Sequence, residues 1–152
     1  MKKNQRAVRL CGILIAVNLA FIWGNSLLPA ELSSAFSRAV GSFIRLFLPG
    51  SVDVVQGTGQ GLLRKLAHGT EFFTLGLLLS RLFHLLCTKK WEHWVFPLLC
   101  GVGAACMDET IQIFVPGRGP GLRDVAIDSA GALLGVALMA LLLRRKKAIG
   151  NG

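Results

Sequence analysis

Four long apolar runs divide this chain, at residues 10–28, 62–86, 95–115 and 122–143. Each matches the roughly 20 residues that a helix needs to cross a hydrocarbon core about 30 Å thick. Inside a bilayer every backbone polar group must find its partner within the protein, which makes the runs helices. Only 16% of the 152 residues are charged and 53% are hydrophobic, whereas a soluble domain carries about 25% charged residues. The predicted fold class is therefore an all-α membrane protein, a bundle of four transmembrane helices.

The net charge of +9 raises nucleic acid as a partner, and the placement of the bases argues against it. Eleven of the 17 Lys and Arg residues fall in three segments: Lys2, Lys3, Arg6 and Arg9; Arg81, Lys89 and Lys90; and Arg144, Arg145, Lys146 and Lys147. Glu92 is the one acid among them, and the rest of the chain holds six bases against seven acids. Such an imbalance is the positive-inside pattern of an even number of spans, with both N and C termini cytoplasmic. It predicts a basic cytoplasmic N-terminus at 1–9, a single transmembrane domain at 10–143 and a basic cytoplasmic tail at 144–152. The first run is long for the apolar core of a signal peptide and lacks a small-residue cleavage site, so it is expected to stay as a span. Cys11, Cys87, Cys100 and Cys106 form no CxxC pair and read as small hydrophobes in the membrane.

Between the first two spans, Leu32, Phe36, Val40, Phe43 and Phe47 recur at helical spacing, with Ser34, Arg38, Ser42 and Arg45 on the opposite face. This predicts an amphipathic helix over 31–48, either on the outer face of the membrane or packed on the bundle. Pro49-Gly50 ends it, and Gly57-Thr-Gly-Gln-Gly61 reads as a flexible loop. Trp23 is expected at the outer interface, and Trp91 and Trp94 at the cytoplasmic one. Pro116-Gly-Arg-Gly-Pro-Gly121 is expected to be a tight outer turn, and Gly131 and Gly135 to permit close helix contact.

The topology gathers the charges. The second and fourth spans start at the outer surface and the third ends there. At 1.5 Å per residue, Glu71, Asp108 and Asp128 come out about 9–13 Å deep in the same leaflet. Lys65, His68 and Glu71 fall on one broad face of the second helix; Asp108 and Gln112 share a face of the third, and Asp124 and Asp128 a face of the fourth. A charge left against lipid costs about 2.5–3.5 kcal/mol at mid-membrane, so these faces should turn inward and pair. One reading is that the pairs only hold the helices in register. The stronger one is a pocket open to the outer side, bound by Lys65, His68, Glu71, Asp108, Glu109, Gln112, Arg118, Arg123, Asp124 and Asp128. Its mixed charge suits a head group of phosphate or zwitterionic character, with Arg118 and Arg123 as anion contacts. Other chemistry open to these residues is acid–base catalysis by His68 with Glu71 or Asp108, or a divalent cation held by His68 with Glu71, Asp108 or Asp128. The apolar inner halves of the helices argue against a proton or ion pathway. The leading reading takes neither metal nor cofactor.

These residues resemble a known family. Lys65-x-x-His68, Asp108-Glu109-x-x-Gln112-x-Phe114, Pro116-Gly117-Arg118 with Asp124, and Asp128-x-x-Gly131-x-x-x-Gly135 are similar to the motifs of the VanZ-like family, as is Asn25-Ser26 with Pro29 and Ser33-Ser34. The likeness runs from about residue 10 to residue 143. The chain departs from the family in carrying Phe72 where Tyr is frequent, Asp128 where Asn is usual, and no clear Ser after Arg118. The resemblance implies a multi-pass protein of the bacterial plasma membrane, linked to lower susceptibility to teicoplanin-type lipoglycopeptides. It supplies no agreed mechanism; the pocket's own leading reading is a non-enzymatic protein with membrane lipids and a lipid-linked cell-wall precursor or the lipoglycopeptide as partners, and the alternative is an enzyme modifying such a precursor with a His/carboxylate site. Oligomeric state is left open.

Overall fold

The computed structural model describes residues 2–29, 31–33, 35, 58–119 and 121–149. Among the described residues it is all helical, with four long helices: α1 (Lys2–Ser26), α2 (Thr58–Leu86), α3 (Glu92–Ile113) and α4 (Leu122–Ile149). Three segments are long and apolar enough to cross a membrane, Asn4–Ser26, Glu92–Ile113 and Leu122–Arg145. The second helix is not among them. It is 29 residues long, but Arg64, Lys65, Glu71 and Arg81 dilute its apolar character.

The helices are longer than the predicted spans at several ends. α1 begins at Lys2 and α4 runs to Ile149, because Lys, Arg and Gln are good helix formers that continue a helix past an apolar run. Thr58–Gly61, expected as part of a flexible loop, forms the first turn of α2. A glycine costs only about 1 kcal/mol in a helix, little enough for a packed helix to run through it. Most of the predicted amphipathic helix at 31–48 lies outside the described residues, and 31–33 and 35 are helical.

α2 is the hub, in contact with α1, α3 and α4. Its Phe72, Leu75 and Leu79 meet Ile22 of α1 and Ala104 and Ala105 of α3 in the core. Lipid tails are as apolar as leucine, so close packing must hold helices together in a membrane, and small residues permit it. The closest pairing, α2 against α4, shows this. A Cβ at Gly76 would collide with the Ala132 carbonyl, one at Gly131 with the Gly69 carbonyl, and one at Gly135 with the Phe73 carbonyl. Gly131 and Gly135 thus do what their spacing predicts.

The outside of the bundle is apolar. Leu10, Ile13, Val17 and Phe21 fall along one stripe of α1 and each exposes more than half of its surface (57–62%). Apolar stripes of this extent belong against lipid. The half-buried Trp23 ring, near the end of α1, packs on the core, and its indole N–H donates to the Ala104 carbonyl at 3.5 Å. A buried indole needs such an acceptor.

Short connections set the helices antiparallel. Between α2 and α3, the His84 and His93 rings stack with centroids 4.1 Å apart, and Glu92 accepts from the Lys89 N–H at 3.2 Å. Between α3 and α4, Gly117 takes φ 75°, a left-handed conformation that glycine adopts without steric cost. One end of the bundle carries Arg6, Arg9, Arg81, Lys89, Lys90, Arg144 and Arg145. The other gathers Glu71, Asp108, Glu109, Asp124 and Asp128.

Candidate functional site

The polar end is assembled from all four helices. α1 ends in Asn25 and Ser26, and α2 presents Lys65, His68 and Glu71 one helical turn apart. α3 brings Asp108, Glu109 and Gln112 near its C-terminus, while α4 brings Asp124 and Asp128 near its start. The faces turn inward as their spacing predicts: Asp108 is 0% exposed and Asp128 2%.

Gln112 is the central donor. Its Nε2 reaches Asp108 Oδ2 at 2.8 Å, Glu109 Oε1 at 3.3 Å and Ser26 Oγ at 3.4 Å. Glu109 Oε2 also accepts the Gly121 backbone N–H at 2.8 Å, which ties the turn before α4 to the end of α3. On the α1 side, Asn25 Nδ2 donates to Glu71 Oε1 at 3.0 Å. Between these lies His68, whose Nδ1 stands 3.8 Å from Glu71 Oε2 and 3.9 Å from Asp108 Oδ2. Both separations are too long for hydrogen bonds. His68 Nδ1, Glu71 Oε2 and Asp108 Oδ1 are buried without a hydrogen-bond partner.

The bases behave less uniformly than their charge suggests. Lys65 Nζ pairs with Asp124 Oδ1 at 2.9 Å. Arg118, expected as an anion contact, instead closes the C-terminal end of α1. Its Nη2 donates to the Asn25 carbonyl at 2.8 Å and the Leu28 carbonyl at 3.1 Å, and its Nε to the Leu28 carbonyl at 3.2 Å. A helix C-terminus leaves carbonyls without intrahelical partners and attracts a cation, so the guanidinium fork fits it. Burial lowers the Arg118 pKa from its ordinary value and the nearby Arg64 adds to this, while Asp108 and Glu109 oppose it. Arg123 is exposed and, among the described residues, forms no salt bridge with the cluster. Among the described residues, Lys65 is the one Lys or Arg in a salt bridge with a carboxylate of this end.

A cleft opens into the cluster, lined by Arg64, Lys65, His68, Glu109, Gln112, Asp124, Ile127 and Asp128. Its free room is about 10 Å³, the space of one water molecule or a small ion. Donor atoms of His68, Asp108 and Asp128 lie within 4.8 Å of one another beside it. The arrangement can receive a cation among its carboxylates, meet an anion at its mouth through Arg64 and Lys65, or hold an imidazole between two carboxylates.

Of the residues picked out by sequence, nine come together here and Arg123 does not. Asn25, Ser26 and Arg64 were missing from that set. Position could have found Asn25 and Ser26, since they end the first span on the side where the carboxylates gather. All four cysteines are free, with Cys100 and Cys106 on exposed faces.

Comparison with curated proteins and with solved structures finds no match. A family model described as VanZ/LLP1 matches residues 11–143, a stretch that takes in α2 and α3 whole, most of α1 and α4, and every residue of the polar cluster. As the match covers most of its length, the chain belongs to the VanZ/LLP1 family.

Proposed function

We propose that this chain is a four-span protein of the bacterial plasma membrane, with both termini in the cytoplasm. Its polar end lies in the outer leaflet and recognises a lipid or lipid-linked head group, thereby lowering susceptibility to teicoplanin-type lipoglycopeptides. One observation carries the reading: a cluster of five carboxylates, His68, Lys65 and Gln112 sits at the end of the bundle opposite the basic loops. Lys and Arg mark the cytoplasmic side, and ionisable groups inside a membrane bundle are retained for function more often than for stability. The small free room supports docking of a head group at the mouth, against Arg64 and Lys65, with its tail along the apolar outside of the bundle. α2 then crosses with its charged first turns covered by its neighbours.

The test compares teicoplanin and vancomycin susceptibility in a sensitive Gram-positive host carrying the chain, its Glu71→Gln or Asp124→Asn variant, or an empty vector. Glu71→Gln keeps an oxygen for Asn25 and removes the charge facing His68; Asp124→Asn removes the charge facing Lys65. We expect a loss of susceptibility confined to teicoplanin and abolished in both variants. Full effect in both variants at equal membrane abundance would sink the pocket.

The position of His68 Nδ1 between Glu71 and Asp108 favours a second reading, an enzyme acting on a lipid-linked envelope precursor with His68 as general base. Lipid extracts of expressing cells would then contain a covalently altered species that His68→Ala removes. Unchanged extracts exclude it.

A further inference from the structure

Among the described residues the polar end has more carboxylates than bases that pair with them, and Arg64 lines the cleft without forming a salt bridge. Lys65 is taken by Asp124, and Arg118 spends three hydrogen bonds on the carbonyls that end α1. Asp108 is fully buried, with Oδ1 unpartnered, and Asp128 is 2% exposed and faces the same cleft. Two carboxylates in so little water cost several kcal/mol each unless a positive charge meets them. His68, neutral or charged, stands too far from Asp108 to donate to it.

We propose that His68, Asp108 and Asp128 bind one divalent first-row transition cation such as Zn²⁺ or Mn²⁺. Their donor atoms already lie within 4.8 Å of one another. Around a cation with bonds of about 2.1 Å, tetrahedral ligand atoms stand roughly 3.4 Å apart. The 3.9 Å between His68 Nδ1 and Asp108 Oδ2 therefore needs to close by only a small side-chain rotation. Glu71 Oε2, unpartnered and 3.8 Å from the same ring nitrogen, is the nearest further donor. The cleft beside the three residues has room for one small ion. Two carboxylates balance the charge of a divalent cation, and the imidazole nitrogen selects against Mg²⁺ and Ca²⁺, which take oxygen ligands. The cation concerns the same polar end as the head-group reading and rests on that reading only for its use: it would add positive charge to that of Arg64 and Lys65 where a phosphate docks.

The test is titration of the chelator-stripped full chain in detergent, purified without a polyhistidine tag, with Zn²⁺, Mn²⁺, Mg²⁺ and Ca²⁺. We expect saturable binding of one Zn²⁺ or Mn²⁺ per chain, a rise in unfolding temperature that chelator reverses, and no competition from excess Mg²⁺ or Ca²⁺. His68→Gln and Asp128→Asn should each weaken binding roughly tenfold or more, and Arg123→Gln should not. Both variants are checked for helix content and a single size; Asp128 lines a cleft, so its amide is the milder change. Absence of saturable binding to the wild-type chain overturns the proposal, as does unchanged affinity in both variants. Cation binding without any change in drug susceptibility would leave the site standing and remove the head-group reading. A drug effect without cation binding would do the reverse.

Discussion

At the scale of the residue, Arg118 shows how one side chain can look like a ligand contact and act as a fastener. Its planar fork bonds the Asn25 carbonyl in the last turn of α1 and the Leu28 carbonyl just beyond that helix, which a lysine ammonium cannot reproduce with the same geometry. Hydrogen bonds to charged groups contribute about 1.5–3 kcal/mol. Arg118→Lys should accordingly destabilise the protein by about 1 kcal/mol and Arg118→Ala by about 2 kcal/mol, read as thermal unfolding in detergent. Equal stability of the alanine variant and the parent would mean that the fork does not hold α1. His68 is the converse case. Its side chain is largely enclosed, yet none of its contacts is short, and such incompletely satisfied buried groups are expected at functional sites more than elsewhere.

At the scale of the element, α2 and α4 depend on backbone contact. Gly135 has the Phe73 carbonyl and the Leu77 amide nitrogen where a side chain would begin, while Gly103 on α3 has open space around it. Gly135→Ala should therefore cost about 1–3 kcal/mol through overpacking. Gly103→Ala should be neutral or stabilising by up to about 1 kcal/mol, since alanine is the better helix former. The same unfolding measurement decides it: similar effects at the two positions would refute the close approach. This contact was readable from the Gly131-x-x-x-Gly135 spacing. Its partner surface, Gly69 and Gly76, was not, because those glycines are seven apart and only the rotation of α2 against α4 brings them to Gly131 and Ala132.

At the scale of the whole molecule, the proposed topology places the two short connections on opposite sides of the membrane. In a chain with its native cysteines replaced by serine or alanine, Gly119→Cys should react with a membrane-impermeant maleimide applied to intact cells. Lys89→Cys should react only after the cells are opened. Labelling of both positions from outside, or of neither, would exclude four spans with cytoplasmic termini. The structure makes α2 central to that question, for it is the long helix that is not among the segments apolar enough to cross a membrane, and it packs against all three others. A helix whose first turns carry Arg64, Lys65 and Glu71 can lie in a bundle only where its neighbours bring opposite charges and amides to meet them, and Asp124 and Asn25 do so.

The sequence alone determined the helices, the segregation of bases to one end and the faces on which Lys65, His68, Glu71, Asp108, Gln112, Asp124 and Asp128 lie. Those features follow from helical periodicity and from the cost of charge in hydrocarbon, both local in the chain. Only the tertiary structure decided who meets whom: that Asn25 faces Glu71, that Arg118 turns to the carbonyls at the end of α1, and that Asp108 and Asp128 converge on His68 with no salt bridge to a Lys or Arg among the described residues. Those outcomes depend on the rotation and stagger of one helix against another. A few ångströms there separate an ion pair from an open site, and no spacing within a single helix records them.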